Sequence, residues 1–593
     1  MMELPNINGR ARRFLPPVWR WLGRLPAGSV LLVLLAVWLA FNLLQGAFTE
    51  PADDEAYYSM LGQHLDWGYY DLPPMTALLV WLGNSIGGVF GTRFFFLLMQ
   101  PLYIFILWRL VWGGRTEGSV QVTEGVMLRT GLPTPKDAAL FVMIAASVPM
   151  LQLYGLPAAP DVPLMLFFVL FLLCYRRFAA RDSWLNTLLL GLSMAAMTYS
   201  KYHGALIVGL ALLSNTSIFR NGRLYVAATV ALTLLMPHLA WEQRNGWPSF
   251  KFNLLEHGGP FGTGYLFEYA ACLLAAFNPL LWPIYVRAWR KSRSQNQTER
   301  ALSFVLVGFL VFFLLSGIRG YLRPVWALLA TLPLVALLFN YTRAHRRTRK
   351  YVMAAGWAML GLFALLRAEM IFNLSGVRGQ IFDNKPTYEA IAVAAGDAPV
   401  IFSGNYAVAA KYGLYTGRPA YCQPSLFYRS SQWQLRDDDD KAAVGCVLLE
   451  VAPKHASDTL HLANGRDFYY RADSSFHPLR RIAIRLRDPL PDKLQRGLTY
   501  GYQMVVANPY DYDVRFAPDS LPVVFLMRDV ERRTHEYVQN IRGTVCAGED
   551  GVYMGSFTVP TGLPTGKYLC GFGIRPTHLC YWFNSDHRNI ELR

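Results

Sequence analysis

The stretch Phe48–Pro74, FTEPADDEAYYSMLGQHLDWGYYDLPP, decides how the chain is laid out. It follows a run of about 20 apolar residues, long enough to cross the hydrocarbon of a bilayer. It opens with four acids, Glu50, Asp53, Asp54 and Glu55. Composition supports a membrane: of 593 residues, 53% are hydrophobic and only 16% charged, where a soluble domain carries about 25% charge. Apolar blocks of about 17–24 residues recur up to about residue 368 and then stop, the pattern of repeated spanning helices. The remainder reads as soluble sequence.

Working outward from that stretch, eleven blocks predict membrane helices: 29–47, 94–113, 138–154, 162–178, 184–200, 203–219, 224–240, 263–286, 300–318, 322–341 and 351–368. The first is too long for a secretory signal and lacks a prompt small-x-small site, so it reads as a retained helix. A net charge of +16 would suggest nucleic acid in a soluble protein. Here much of the excess sits in short loops between helices, which favours the positive-inside pattern instead. Arg10, Arg12 and Arg13, then 176–182, 220–223, 287–297 and 342–350, fall on one side. Residues 48–93, 156–161, 201–203, 241–253 and 319–324 fall on the other, with the C-terminal region. The alternation holds only if 74–90 does not span. Its Pro pair and Gly83, Gly87 and Gly88 suit an interfacial helix instead, as does the helical spacing of Tyr57, Tyr58, Leu61 and Leu65 in 54–66.

Ionisable residues thereby collect on one face: Asp53, Asp54, Glu55, Asp71, Asp161, Lys201, His203, Arg319 and Arg323. Each has a plain structural role open to it. Asp53, Asp54 and Asp161 can cap helices, and Lys201 and His203 can snorkel to the interface. Arg319 and Arg323 break the positive-inside pattern and call for an anionic partner. Together they suit a reaction with a phosphate leaving group on a lipid carrier. A carboxylate takes a proton from an acceptor hydroxyl, and positive charge from Arg, Lys or a metal ion receives the departing phosphate. One acid and a basic cluster suffice, unlike the two carboxylates of glycoside hydrolysis.

The segments DDEAYYSMLGQHLDWGYYDLPPMTALLVWLG, APDVPLMLFFVLFLL, TYSKYHGALIVGLALL and NGWPSFKFN resemble the bacterial GT-C glycosyltransferases related to protein O-mannosyltransferases and the aminoarabinose transferases of lipid A. YAVAAKYGLYTGRP (406–419) and SQWQLRD (431–437) resemble the soluble tail of that family, so the likeness covers most of 29–440. It implies a polyprenyl-phosphate sugar donor. It places the general base on Asp54, with Glu55 beside it and Asp53 as an additional acid. Asp71 and Asp161 become supporting acids that could hold a divalent metal ion. Lys201, with His203, Arg319 and Arg323, is assigned to the donor phosphate. Relatives carry a basic residue or His after the acid at 71, where this chain has Leu72, and RGYLRPVW departs from the family wording.

The expected fold is a polytopic α-helical GT-C membrane domain over 1–368, a small extracytoplasmic α/β unit over 369–478 and a β-sandwich-like domain over 479–593. APVIFSG, NYAVAAKYGLY and GCVLLEV carry the α/β pattern, and YGYQMVVANPYDYDVRF, LPVVFLMRDV and GVYMGSFTVP alternate like sandwich strands. Asp437–Asp440 read as a solvated loop. Cys174 and Cys272 lie in helices; Cys422, Cys446, Cys546, Cys570 and Cys580 lie in the soluble part, where pairing is not deducible. No zinc spacing, P-loop or GxGxxG after a strand is present. The expected function is sugar transfer with inversion to an extracytoplasmic lipid, glycan or protein acceptor at the bacterial inner membrane. The alternatives are a lipid-linked sugar transporter, disfavoured by the absence of internal repeats, and an inactive glycan-binding paralogue.

Overall fold

The computed structural model describes residues 23–112, 120–123, 126–129, 132–256, 264–291, 297–317, 324–377, 379, 381–426, 428–436, 444–576, 579 and 582–593. Arg319, Arg323, Asp437–Asp440 and Cys580 lie outside them. The chain divides into two compact units, Met1–Ile381 and Phe382–Arg593.

The first unit is helical. Its elements are α1 (Ala27–Phe48), α2 (Asp53–Gln63), α3 (Met75–Gly83), α4 (Gly88–Trp112), a hairpin β1 (Val120–Thr123) and β2 (Val126–Arg129), α5 (Pro135–Ala146), α6 (Pro149–Tyr154), α7 (Asp161–Ala180), α8 (Trp184–Ser200), α9 (His203–Leu213), α10 (Gly222–Arg244), α11 (Gly264–Ala276), α12 (Trp282–Lys291), α13 (Gln297–Ser316), α14 (Thr331–Ala344) and α15 (Arg346–Phe372). Among the described residues, seven helices are long and apolar enough to cross a membrane. The 90° bent pair Gly264–Ala276 and Pro279–Lys291 makes eight if it is one span.

The eleven predicted blocks all contain helix, but three fall short of a span. Block 138–154 breaks at Val148, which is extended (ψ 117°) ahead of Pro149, because the proline ring disfavours helical backbone in the residue before it. Block 203–219 is helical for 11 residues and then tightens into a 3₁₀ turn at Thr216–Arg220. Helix α8 has 17 residues. Helix α3 has nine residues, about 14 Å at 1.5 Å per residue, less than half the hydrocarbon thickness. Helix α4 begins at Gly88 rather than at the predicted 94, which brings Arg93 inside it.

The core of this unit runs through α1, α4, α5, α7 and α14, with the rings of Trp108, Phe141 and Phe339 in mutual contact at centroid distances of 5.2–5.7 Å. Helix α7 is buried on most of its surface, including Phe168, Phe171 and Tyr175. An apolar helix with so little exposed surface lies inside the bundle rather than at its lipid edge.

The second unit carries two sheets. In the first, β3 (Val400–Ser403) lies parallel to β4 (Ala420–Gln423) and β5 (Gly445–Glu450), and the antiparallel pair β6 (Asp458–His461) and β7 (Asp467–Phe476) completes the order β4-β3-β5-β7-β6. Helix α16 (Asn384–Ala395) precedes β3, and α17 (Tyr406–Thr416) makes the crossover from β3 to β4.

The rest is a sandwich. One sheet has β15 (Asp550–Thr558), β10 (Thr499–Ala507) and β8 (Ala483–Leu486). The other has β13 (Thr534–Val538), β12 (Val523–Arg528), β16 (Gly566–Ile574), β17 (Arg588–Leu592) and β9 (Lys493–Leu494). A short pair, β11 (Val514–Phe516) with β14 (Gly543–Val545), flanks them. Alternate residues of β10 point inward, and Tyr502 meets Phe572 at 4.8 Å while Phe525 meets Phe557 at 4.1 Å. These contacts join the inner faces of the two sheets, as sandwich packing requires. Six described cysteines are free, Cys422 and Cys570 among them buried.

Candidate functional site

Helix α2 starts the site. Its N-cap is Ala52, which has no side-chain acceptor, and Asp53, Asp54 and Glu55 fill its first turn. Acids there meet the positive end of the helix dipole. Glu55 replaces the missing cap by accepting from the Ala52 amide at 3.1 Å. It is also 3% exposed and gripped by Arg93 of α4, Nε to Oε1 and Nη2 to Oε2, both at 2.7 Å. The remaining guanidinium hydrogens go to the carbonyls of Gly46, Thr49 and Glu50. A second amide, that of Ala158, donates to Glu55 at 3.0 Å. The carboxylate thus accepts four hydrogen bonds from within the chain. Asp53 and Asp54 stand in the same turn but are partly exposed.

The Ala158 contact leads along the loop before α7 to Asp161. Asp161 is 5% exposed and accepts from Lys201 Nζ on both oxygens, at 2.8 and 2.9 Å. Lys201 leaves α8 at its C-cap in extended backbone, which carries its side chain across to α7. An ammonium has three donors and this pair uses two of its hydrogens.

Asp71 accepts from the Tyr57 hydroxyl of α2 at 3.3 Å. Its loop is stitched to the end of α10 and to the segment beyond. The Trp67 carbonyl meets His238 Nδ1 at 2.8 Å, Trp241 Nε1 donates to Asp66 at 2.6 Å, and Ser249 donates to the Tyr69 carbonyl. Burial pushes the Tyr69 phenol up to about 12, so it stays a donor to the His64 carbonyl. Gly68 is required here: a Cβ would fall 2.3 Å from the Trp241 ring. Tyr202, next to Lys201, bonds to His238 Nε2 at 3.1 Å and donates to Glu242 at 3.3 Å. Glu242 is fully buried, and among the described residues its Oε2 accepts no hydrogen bond.

The structure therefore joins Asp161 to Lys201, links both to Glu55 through the loop at 158, and ties Asp71 to α2. The His203 ring packs among Phe309, Phe312 and Phe313 of α13. Among the described residues no three or more His, Cys, Asp or Glu side chains gather to hold a metal ion. Asp161, one of the two acids considered for a metal ion, is engaged by Lys201. Arg93, Tyr202, His238 and Glu242 are members that sequence reading missed. The signal for Arg93 was an isolated cation opening the apolar run TRFFFLL; for Glu242 it was an acid inside WEQRNGWPSF.

Residues 127–241, which include Asp161, Lys201 and His238, match the family described as dolichyl-phosphate-mannose-protein mannosyltransferase. Among solved structures, the chain is similar to ArnT from Cupriavidus metallidurans. The apo crystal structure matches at TM-score 0.55 and 14% identity, over 74% of this chain and 97% of that one. The structure bound to undecaprenyl phosphate matches at TM-score 0.55 and 13% identity, over 75% and 98%. No curated protein matches. With a membrane unit built on the acid-headed helix α2 and a sheet-rich C-terminal unit, the chain has the GT-C fold of membrane glycosyltransferases.

Proposed function

We propose that the chain is a glycosyltransferase that moves a sugar from a polyprenyl-phosphate donor to an extracytoplasmic acceptor with inversion at the anomeric carbon. The observation that carries this reading is the Asp161–Lys201 pair, anchored through the 158 loop to the acid-bearing turn of α2. The ArnT structure with undecaprenyl phosphate supports a donor of that class. Loop charge supports a bacterial inner-membrane location with the C-terminal unit on the outer, periplasmic side.

In the reaction, Asp54 takes the proton from the acceptor hydroxyl as its oxygen bonds to the anomeric carbon. The bond from that carbon to the phosphate oxygen breaks, and the electron pair leaves with the polyprenyl phosphate. Lys201 offers its remaining N–H and its charge to that phosphate, a leaving group that needs charge more than a proton. Asp161 holds the ammonium in place. Glu55 and Arg93 fix the turn from which Asp54 projects. Arg319, Arg323 and His203 are further candidates for the phosphate side, and Asp71 orients the donor loop.

The test is transfer from a polyprenyl-phosphate sugar by Asp54→Asn protein. Loss of a general base lowers the rate by about 10²–10⁴-fold. Full transfer by a normally folded Asp54→Asn protein would remove Asp54 from this role. Binding of donor by the wild type without any product would favour a carrier or a binding platform.

A further inference from the structure

Arg367 lies five residues before the end of α15, at the end of the bundle where α1 also terminates: its carbonyl accepts from Gln45. A cation near a helix end usually snorkels outward. This one turns inward. Its Nη2 donates to Asn42 at 2.7 Å and to Gln152 at 2.8 Å, both neutral oxygens on buried side chains. Its Nη1 is buried, and among the described residues it has no hydrogen-bond partner and no carboxylate pairs with the guanidinium. A guanidinium taken out of water without an anion is costly, and ionisable groups held this way inside a membrane protein mark binding sites.

The group borders a narrow cleft lined by Gln45, Gln152, Leu153, Leu366 and Met370. Leu153 and Leu366 are 43% and 42% exposed, so the cleft opens on the apolar flank of the bundle, beside the more exposed Leu44 and Leu365. Asn42 is itself fixed by Gln100 of α4, which orients its oxygen toward Arg367.

We infer that Arg367 forms a binding site for the phosphate group of a lipid, separate from the Asp161–Lys201 pair. The planar fork with a spare buried N–H suits phosphate oxygens better than a point charge does. The exposed leucines provide a track for an acyl or prenyl chain. The same phosphate chemistry could come from a free anion, and the experiment separates the two. The inference does not depend on the transfer reaction or on Asp54.

The full chain is reconstituted in nanodiscs of phosphatidylcholine with or without a tenth phosphatidylglycerol, and lipids retained after extraction are counted by native mass spectrometry. A parallel thermal-shift series in detergent uses inorganic phosphate alone. Wild-type protein is expected to retain one more phosphatidylglycerol than Arg367→Gln, with apparent affinity weakened about tenfold in the variant. Arg367→Lys is expected to elute normally and fall between the two, which keeps the test valid if Arg367→Gln folds poorly. A thermal shift from inorganic phosphate that Arg367→Lys diminishes would support the anion site and assign it to a free anion. Equal lipid retention and equal phosphate response in wild type and both variants would overturn the site.

Discussion

Two ion pairs hold the same end of the membrane unit, and they do different work. Glu55–Arg93 is sealed: side-chain exposures are 3% and 1%, and both oxygens and all five guanidinium hydrogens are spent on the chain itself. Asp161–Lys201 is looser, at 8% and 16%, and its ammonium keeps a hydrogen in reserve. A saturated buried pair fixes geometry. A pair with spare capacity at a partly open position can take a ligand. Under the proposed function, unfilled valence rather than charge alone separates the residue offered to the donor from the one that fixes the turn.

The largest effect that would break this contrast is expected for Arg93→Met. It leaves Glu55 buried without its counter-ion, a loss of about 3–5 kcal/mol, read as a lowered melting temperature of the purified protein. Pairing it with Glu55→Met should recover only part of that loss, because the carbonyls of Gly46, Thr49 and Glu50 stay unsatisfied. Full recovery would mean the pair is no more than an ion pair. Lys201→Met sharpens the other side. It should cut transfer by about 10–100-fold, some 1–3 kcal/mol, with much less effect on melting than Arg93→Met. Equal destabilisation by both would erase the distinction. Gly68→Ala comes next, since overpacking costs about 1–3 kcal/mol; it should free Trp241 from Asp66 and show as a change in tryptophan fluorescence.

The smallest effect is expected in the C-terminal unit. Burial holds the Glu450 carboxyl above its usual range, against the opposing pull of the Ser403 amide. The folded form then keeps a proton that the unfolded form has released. Stability should fall as pH rises from the ordinary carboxylate value through the raised one, and level off above it. Glu450→Gln should flatten that dependence, raising the unfolding midpoint near pH 7 and leaving it unchanged near pH 4.

Helix α2 and its acids were legible because the acids follow an apolar run and precede Tyr57, Tyr58 and Leu61 at helical spacing. So was the short α3, from its Pro pair and glycines. The broken block at 148–149 was missed although Pro149 announces it, because hydropathy averages over a single proline. Asp161 and Lys201 were each singled out, yet 40 positions separate them and no local pattern links them. Arg93 sat just before the predicted block 94–113 and Arg367 at the end of 351–368, where a lone cation looks like an edge. Glu242 was read as loop because the Asn245-Gly246 turn that ends α10 follows it so closely; Gly246 and Trp247 adopt left-handed backbone there (φ 75° and 61°).

The stitching between residues 66–71 and 238–253 has a kinetic consequence. The bonds at Trp67, Asp66 and Tyr69 cross from the loop to α10 and the turn after it, and Asn253 adds one to the Asp71 carbonyl. Opening any one alone gains little freedom while the others hold. The two segments should therefore exchange their amide hydrogens as a single cooperative block, and any slow step in turnover that needs space for a substrate has to draw its motion from elsewhere on the rim.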